Sequence, residues 1–400
     1  MDWSVIGEKD KVSGMSDIHW DARNGPWLSD EVFAAIEPWL RDLRPYSGAL
    51  HQHGVRARKA IEKAQAQVAS LISAPEPEQV IFTSNATESM NLGIRGLLKS
   101  RLRFGTKVVT SACEHPSVAG CLADLQKEGV INVEQCPVSE TGFLNPKAFE
   151  EALSEEVVLA VTHLVNHDLG VRQGIEALGE VTYRSGAPLL VDGSHGVGWT
   201  PVNVGESNVS ALTASAARFG GPAGVGVLWA SDQARLRPVL FGGAQQGGFK
   251  PGLENLPGIV GAGAAAAIAV RDSESRMRKA KDAVELLWEM LAERCPDTII
   301  NGPLPQEGRI GGGLNVSFPG VDGEAVVLRA DLKGLVIHAG SACVNRSQRI
   351  PESLKAIGAD EARARGAVLI SPGQDMDQKQ AKQGVDILTS VVRDLREMGL

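Results

Sequence analysis

Residues 213–226 read Thr-Ala-Ser-Ala-Ala-Arg-Phe-Gly-Gly-Pro-Ala-Gly-Val-Gly. They begin where a short apolar segment, 211–213, predicts the end of a buried strand, and their glycines and proline favour a turn. Arg218 lies at the start of that turn, and its guanidinium stays protonated at any working pH. This arrangement predicts a fixed positive charge on a loop that follows a strand.

Short apolar segments alternate with helical patterns on both sides of this turn. The predicted strands are at 80–83, 107–110, 157–162 and 188–191, and the predicted helices are at 61–72, 87–98, 118–128 and 175–185. Such alternation is typical of α/β proteins, in which a mostly parallel sheet has helices on both faces. Ligands of these sheets bind at the carboxyl ends of the strands, so we expect the functional site on the loops there.

The pattern changes after a Gly/Pro-rich stretch at 247–263. One long helix is predicted from about residue 262 to residue 294, and strand-like segments follow at 313–318, 324–328 and 334–338. A chain of 400 residues also exceeds what one hydrophobic core usually serves. We therefore predict a large α/β domain at 17–260, a smaller C-terminal α/β domain at 261–400 and an N-terminal extension at 1–16. The segment 17–35 is expected to pack with the smaller domain.

Composition excludes several classes of protein. The net charge of -8 argues against a protein that binds nucleic acid or an anionic membrane. No apolar run is long enough to span a membrane, and the polar residues 1–14 do not resemble a signal peptide. The five cysteines form no CxxC pair and no zinc-ligand spacing. This cysteine usage predicts a reducing, cytoplasmic location.

Six segments between about residues 17 and 397 resemble the motifs of cysteine desulfurases, which belong to the class V aminotransferases. The family's counterpart of 213–226 contains Ser-x-His-Lys before the Gly-Pro turn, and its lysine forms a Schiff base with pyridoxal phosphate (PLP). Here Ala217 and Arg218 stand at the histidine and lysine positions. The resemblance therefore implies the PLP-dependent transferase fold type I, with a guanidinium that cannot replace the lysine amine.

Three further segments resemble family motifs: 82–91, 111–116 and 191–198. The resemblance implies five cofactor-binding residues: Ala86, Thr87, His115, Asp192 and Ser215. The helix start at Thr87 and the hydroxyl of Ser215 would bind the phosphate, His115 would stack on the pyridine ring, and Asp192 would keep the ring nitrogen protonated. These residue types also have ordinary structural uses, since Ser, Thr and Asp cap helices and a single His is often structural.

Four other positions depart from the family pattern. His167 replaces an asparagine that hydrogen-bonds PLP, and imidazole can also donate there. His195 stands where a glutamine is usual, although relatives in class V carry a histidine at this position. Leu253 replaces a threonine that reaches the neighbouring subunit's phosphate. Leu369 replaces the arginine that binds the substrate carboxylate, and leucine cannot pair with a carboxylate. These departures argue for natural divergence rather than a single laboratory substitution at Arg218.

The segment 339–343, Ala-Gly-Ser-Ala-Cys, resembles the family loop whose thiolate attacks the substrate sulfur and carries a persulfide. Arg346 and Arg349 follow Cys343 in the sequence, and a basic neighbourhood favours the thiolate form. A buried structural cysteine is the alternative for Cys343, because that is the usual environment of the residue type.

We predict that the chain is a divergent cysteine desulfurase homologue that handles sulfur through Cys343 and does not use the usual Schiff-base route. One alternative is an enzyme with new, PLP-independent chemistry in the old pocket. Another is a non-catalytic partner subunit or scaffold of an active sulfur-transfer enzyme. The predicted catalytic residues are Cys343, His115, Arg218, His167 and His195.

Two expectations concern what the chain binds. No covalently bound cofactor is expected, so that any binding of PLP would be non-covalent. No metal is predicted, because nothing in the spacing of His167, Asp168 and His195 fixes a ligand geometry. A homodimer is expected from the resemblance, together with a protein that donates or accepts sulfur.

Overall fold

The structure is a computed structural model that describes residues 18–23, 28–42, 46–310, 312–340 and 350–399. In chain order the strands are β1 (Ile18–His19), β2 (Val80–Thr83), β3 (Lys107–Ser111), β4 (Asn132–Cys136), β5 (Val157–His163), β6 (Leu189–Asp192), β7 (Ala211–Ser215), β8 (Gly226–Ala230), β9 (Ile299–Asn301), β10 (Leu314–Ser317), β11 (Leu335–Val336), β12 (His338–Ala339) and β13 (Ala367–Ile370). The α-helices are α1 (Asp30–Arg41), α2 (Gln52–Ile72), α3 (Ala86–Arg101), α4 (Pro116–Lys127), α5 (Pro146–Ala152), α6 (Ile175–Ser185), α7 (Leu256–Arg271), α8 (Ser273–Arg294), α9 (Gly323–Leu332), α10 (Glu352–Ala356), α11 (Glu361–Arg365) and α12 (Gln378–Met398).

Seven strands form the large sheet in the order β2-β8-β7-β6-β5-β3-β4. β8 runs antiparallel to both of its neighbours, and the strands from β7 to β4 are parallel. The carboxyl ends of β2, β3, β5, β6 and β7 therefore meet at one edge of the sheet, where ligands of α/β sheets bind. This mixed sheet confirms the predicted α/β fold.

Two hydrophobic layers cover the faces of the sheet. Val227 and Trp229 of β8 face the layer that contains α2 and α7, whereas Leu228 and Ala230 face the layer that contains α3 and α4. Successive residues of a strand point to opposite faces, so both sets must be apolar. The interior strand β5 is buried at all seven positions for the same reason.

The smaller domain is built on an antiparallel sheet in the order β12-β13-β10-β9. Its core is shared by α8, α9 and α12. The chain start joins this domain, because β1 pairs with β11 and Trp20 is fully buried in the same core. A tight contact fixes that tryptophan: a side chain at Gly384 of α12 would overlap its ring.

Two sequence-based predictions of secondary structure were wrong. The single long helix predicted at 262–294 is two helices, α7 and α8, that meet at Asp272, whose backbone leaves the helical region (φ -102°, ψ 12°). The predicted strand at 324–328 is part of α9. The first N–H groups of this helix donate hydrogen bonds to the carboxylate of Asp322. The side chain of Asp322 thus stabilises a helix start in a segment that was predicted to be a strand.

The position of the domain boundary stays a prediction. Helix α7 lies in the hydrophobic layer of the large domain with α1 and α2, and the core of the smaller domain begins with α8. This packing favours a boundary near Asp272 over one at residue 261. In the part of the chain that the structure describes, no helix is both long and apolar enough to cross a membrane.

Candidate active site

A cavity of about 660 Å³ opens at the carboxyl edge of the large sheet. His115 follows β3, His167 follows β5, His195 follows β6 and Arg218 follows β7, and all four line the cavity. The smaller domain closes it with residues of β12, β13 and α10. The structure thus brings together the four described members of the predicted catalytic set. The fifth, Cys343, lies outside the described residues.

The three histidines form a cluster in which each ring is near the other two. The ring centroids of His115 and His167 are 4.9 Å apart, and that of His195 lies 6.2 Å from the first and 6.1 Å from the second. Among the described residues, no group of three His, Cys, Asp or Glu side chains has the arrangement of a metal site.

His115 is held by the start of the helix that follows it. It is the N-cap of α4, and its Nδ1 accepts a hydrogen bond from the backbone N–H of Ser117 at 3.1 Å. An acceptor at Nδ1 leaves Nε2 as the ring atom that is available to a molecule in the cavity. Pro116 at the first helical position suits this geometry, since it has no N–H to satisfy.

His167 is positioned by a buried asparagine. The side chain of Asn166 accepts from the N–H groups of Asp168 (3.0 Å) and Leu169 (2.9 Å) and donates to the carbonyl of Cys113 at 2.8 Å. This fixes the turn after β5 against the loop after β3. Burial, together with the neighbouring His115, lowers the pKa of His167 to about 4, against the opposing effect of Asp168. The imidazole is therefore neutral near pH 7.

His195 carries a hydrogen bond from the start of the chain. Nη2 of Arg23 lies 3.0 Å from its Nδ1, and because a guanidinium can only donate, Nδ1 must accept. Burial and the positive charges of Arg218 and Arg23 lower the pKa of His195 well below its ordinary value. This second imidazole is also neutral near pH 7.

A buried carboxylate lies beside the histidine cluster. Glu114 lines the cavity, and its Oε1 accepts from the hydroxyl of Ser111 and lies 2.9 Å from Nδ1 of His163. Burial lowers the pKa of His163, but the Glu114 carboxylate more than offsets this and raises it. The amide Nε2 of Gln173 lies 3.1 Å from Nε2 of the same ring. Oε2 of Glu114 is buried, and none of the described residues forms a hydrogen bond with it.

Arg218 lies in a short 3-10 turn, residues 216–219, that ends at Gly220. The glycine has φ of 103°, which is the left-handed region that favours glycine. The carbonyl of Arg218 accepts from the indole N–H of Trp199 at 2.7 Å, and the guanidinium of Arg276 stacks over that indole at 4.1 Å. Trp199 and the Arg276 guanidinium stacked on it thus hold this turn in place. The guanidinium of Arg218 lines the cavity.

The residues expected to bind a phosphate lie at the same edge but do not line this cavity. Asn85 caps α3 through the N–H of Glu88, whose carboxylate in turn accepts from the N–H of Ser84 at 2.6 Å. The exposed Thr87 lies in the first turn, next to Ala86. Ser215 lies nearby, because β7 pairs it with Gly226, and β2 pairs the same glycine with Thr83.

The surroundings of Asp192 and of the start of α3 show how far the site suits PLP. Oδ1 of Asp192 accepts from the N–H of Ser194 at 2.9 Å, whereas no described residue hydrogen-bonds to its Oδ2. That oxygen suits a protonated pyridine nitrogen, and the start of α3 suits a phosphate. The ring and phosphate groups of PLP therefore fit in part, but Arg218 offers no amine for a covalent link.

Two departures noted in the sequence have clear positions in the structure. Leu369 of β13 is buried and lines the cavity. Leu253 is 88% exposed and lies outside the cavity. Sequence reasoning missed Arg23 altogether, because its contact with His195 joins residues 172 positions apart. It also missed Glu114 as a cavity carboxylate, although this residue precedes His115.

Known proteins share this fold over nearly the whole chain. The aminotransferase class-V family model matches residues 28–362. Cysteine desulfurase IscS 1 of Archaeoglobus fulgidus is 31% identical over 374 residues, which cover 93% of this chain and 96% of that protein. A NifS-like protein superposes with a TM-score of 0.87 at 24% identity, covering 95% of this chain and all (100%) of that one.

A third comparison concerns SspA, solved in complex with cysteine. It is 27% identical with a TM-score of 0.76, covering 89% of this chain and 98% of SspA. These matches confirm PLP fold type I, with the seven-stranded sheet in the large domain and a smaller C-terminal α/β domain. The chain therefore belongs to the PLP-dependent class-V aminotransferase family and is similar to its IscS-type cysteine desulfurases.

Proposed function

We propose that this protein handles sulfur through Cys343 and does not desulfurate free cysteine by the Schiff-base route. The observation that carries the proposal is the guanidinium of Arg218, which lines the cavity. The sequence resemblance implies that the family has its lysine at this position. A guanidinium keeps its proton and cannot form an imine. Two neutral histidines, His167 and His195, face the same space.

The proposed chemistry is a transfer of sulfane sulfur. The thiolate of Cys343 attacks the outer sulfur of a donor persulfide, R–S–SH. A new S–S bond forms on Cys343, and the donor leaves as the thiolate R–S⁻, so no external oxidant or reductant is needed. A persulfide made by another protein is the source, which makes a sulfur donor or acceptor protein the proposed partner.

PLP, in this proposal, is at most a non-covalent ligand. Asp192 would face the ring nitrogen, and the start of α3 with Thr87 and Ala86, together with Ser215, would hold the phosphate. The group would supply an electron sink if bound. Ala217 and Leu253 remove two phosphate contacts that the resemblance expects, and each charge-assisted hydrogen bond contributes roughly 1.5–3 kcal/mol. Affinity for PLP is therefore expected to be low.

The test compares the purified protein with its Cys343→Ser variant. Each is mixed with PLP, examined by absorbance, and then treated with an active desulfurase and cysteine. We expect no Schiff-base band in the visible spectrum, and we expect mass spectrometry to find a persulfide on Cys343 of the wild-type chain only. Cys295→Ser is the matched control, because this buried cysteine lies in the smaller domain away from the cavity.

Two results would overturn the proposal. A lysine-type Schiff-base band in the wild-type protein would show that another amine replaces the lysine. Equal labelling of the wild-type and Cys343→Ser proteins would show that this thiol does not carry the sulfur. An Arg218→Lys variant extends the spectrum test, since a new band in it alone would show that the rest of the PLP site is intact.

A second candidate function is acid–base chemistry in the same cavity without PLP. The observation in its favour is the buried Oε2 of Glu114, which has no partner within the described part of the chain. Glu114 lines the cavity together with two neutral imidazoles. Carboxylates and imidazoles in a dry cleft are the usual general acids and bases. Persulfide labelling that is confined to Cys343 favours the sulfur-handling proposal over this one.

We also propose a homodimer. Leu50, Phe241 and Leu253 are large apolar side chains that are at least 78% exposed in the single chain. Exposed apolar side chains of this size favour a protein–protein contact. Their burial against a second copy would also account for the loss of a hydroxyl at Leu253.

A further inference from the structure

The cavity has an outer arm that extends away from the histidine cluster along α4. His115 at the start of this helix and Gln126 near its end both line the cavity. At about 1.5 Å per residue, the distance between them along the helix is about 16 Å. The outer arm is lined by Thr110, Glu114, Gly120, Ala123, Gln126 and Gln135.

The walls of the outer arm leave room for a chain that enters from solvent. The side of α4 that lines it carries small residues, and a Cβ added at Gly120 would have no described atom within 4 Å. Ala123, Gln126 and Gln135, at the end farthest from the histidines, are exposed. The outer arm therefore connects the protein surface with the histidine cluster.

Two buried polar atoms of the outer arm lack a hydrogen-bond partner. Thr110 is 2% exposed and Glu114 is 4% exposed, and both residues line the cavity. No described residue forms a hydrogen bond with Oγ1 of Thr110 or with Oε2 of Glu114. Buried polar atoms without a partner are costly, and in folded proteins they usually mark an ordered water, an ion or a functional role.

The chemistry of these two atoms favours an amide group as their partner. A threonine hydroxyl both donates and accepts, whereas the carboxylate oxygen only accepts. A purely apolar chain would leave both atoms without a partner. An anion is disfavoured, because the outer arm contributes a carboxylate and no Lys or Arg among its described residues. A peptide group offers both an N–H and a carbonyl.

We propose that the outer arm binds an extended peptide segment of the sulfur partner protein and leads its sulfur-bearing end to the histidine cluster. The inference rests on the proposed function, because it names how the partner enters the same cavity. An extended peptide covers about 3.3 Å per residue, so about five residues fill the outer arm. Oε2 of Glu114 accepts from a peptide N–H, and the hydroxyl of Thr110 donates to a peptide carbonyl.

The experiment is isothermal titration calorimetry, under reducing conditions, with three uncharged thiol compounds. The short one is N-acetylcysteinamide, and the two longer ones carry four glycines at the amino or at the carboxyl end of that cysteine. The wild-type protein is expected to bind one of the longer peptides at least about tenfold more tightly than the short compound, as one hydrogen bond to a charged group implies.

Two variants locate the bound chain. Gly120→Leu fills the outer arm and is expected to abolish the advantage of the longer peptide. Its melting temperature should not fall, because leucine favours a helix more than glycine does and the space beside Gly120 is open. Thr110→Val keeps the shape of the side chain and is expected to reduce the advantage about fivefold. Lys127→Leu, an exposed position of α4 that does not line the cavity, is the matched control.

Several outcomes would overturn the inference. Equal binding of the short and longer compounds by the wild-type protein would do so without any variant. An undiminished preference in Gly120→Leu would show that the chain lies elsewhere. If the octylamide of N-acetylcysteine binds as tightly as the longer peptide, the outer arm takes an apolar chain instead.

The same titration separates this inference from the proposed function. Cys343→Ser is expected to keep the preference for the longer peptide, because the outer arm does not need the thiol. A retained preference without persulfide labelling of the wild-type chain would contradict sulfur handling alone. Normal labelling of Cys343 without any preference for the longer peptide would contradict the peptide site alone.

Discussion

Acidification is expected to destabilise this protein through His167. Its side chain is 13% exposed, and burial lowers its pKa from 6.5 to about 4. A histidine whose folded-state pKa is lowered binds its proton more readily in the unfolded chain. The contribution of the neutral His167 to the free energy of unfolding is therefore fully present above the unfolded pKa. It is lost as the pH falls below 6.5 towards 4.

The size of this effect follows from the two pKa values. Full protonation would cost roughly 3.4 kcal/mol, since one pKa unit corresponds to about 1.4 kcal/mol. At pH 5 the unfolded chain is mostly protonated at this position and the folded one is not, which gives a loss of about 2 kcal/mol. His195 and His163 also titrate, so the loss is best measured as a difference between two proteins.

The comparison is between the wild-type protein and His167→Asn, each unfolded by urea at pH 7.5 and at pH 5. The wild-type free energy of unfolding should fall by about 2 kcal/mol more than that of the variant. His53→Asn, at an exposed position on α2, should behave as the wild type does. Parallel pH profiles for wild type and His167→Asn would refute the view that this imidazole is held neutral by burial.

Two substitutions test how the site is supported. Gly226→Ala should lower the free energy of unfolding by about 1–3 kcal/mol, because the new methyl group would overlap the carbonyl of Asn85 and the hydroxyl of Thr83; a melting temperature equal to that of the wild type would contradict this. Asn166→Ala should cost about 2 kcal/mol or more, because it leaves the buried N–H of Leu169, the partly buried N–H of Asp168 and the carbonyl of Cys113 without their partner. Urea denaturation measures both, and a change below about 0.5 kcal/mol at Asn166 would show that water replaces the amide.

The alternation of strands and helices was sufficient to predict most of the large domain, because strands such as β2, β5 and β6 are buried on both faces and read as apolar runs. The mostly exposed edge strand β4 gave no such signal and was not predicted. The break between α7 and α8 could not be read in the same way. Asp272 interrupts the helix without a glycine or proline, inside the polar run Arg-Asp-Ser-Glu-Ser-Arg at 271–276. In the smaller domain, the segment 324–328 was predicted to be a strand, whereas the cap at Asp322 starts a helix there.

The candidate site likewise has residues whose positions follow from the strand pattern and one whose position does not. His115, His167, His195 and Arg218 follow the ends of parallel strands, so their meeting in one cavity follows from the fold. Arg23 does not follow a strand of the large sheet. It comes from a segment that joins the smaller domain, and only the three-dimensional packing of the two domains brings it to His195.

The capping role of His115 affects how the residues of this cavity can change in evolution. The ring that faces the cavity also closes the first turn of α4 through Nδ1. Selection for a folded chain would retain this imidazole even after the chemistry beside it had altered. A histidine that is kept for the sake of its helix remains available to any reaction that the cavity later acquires.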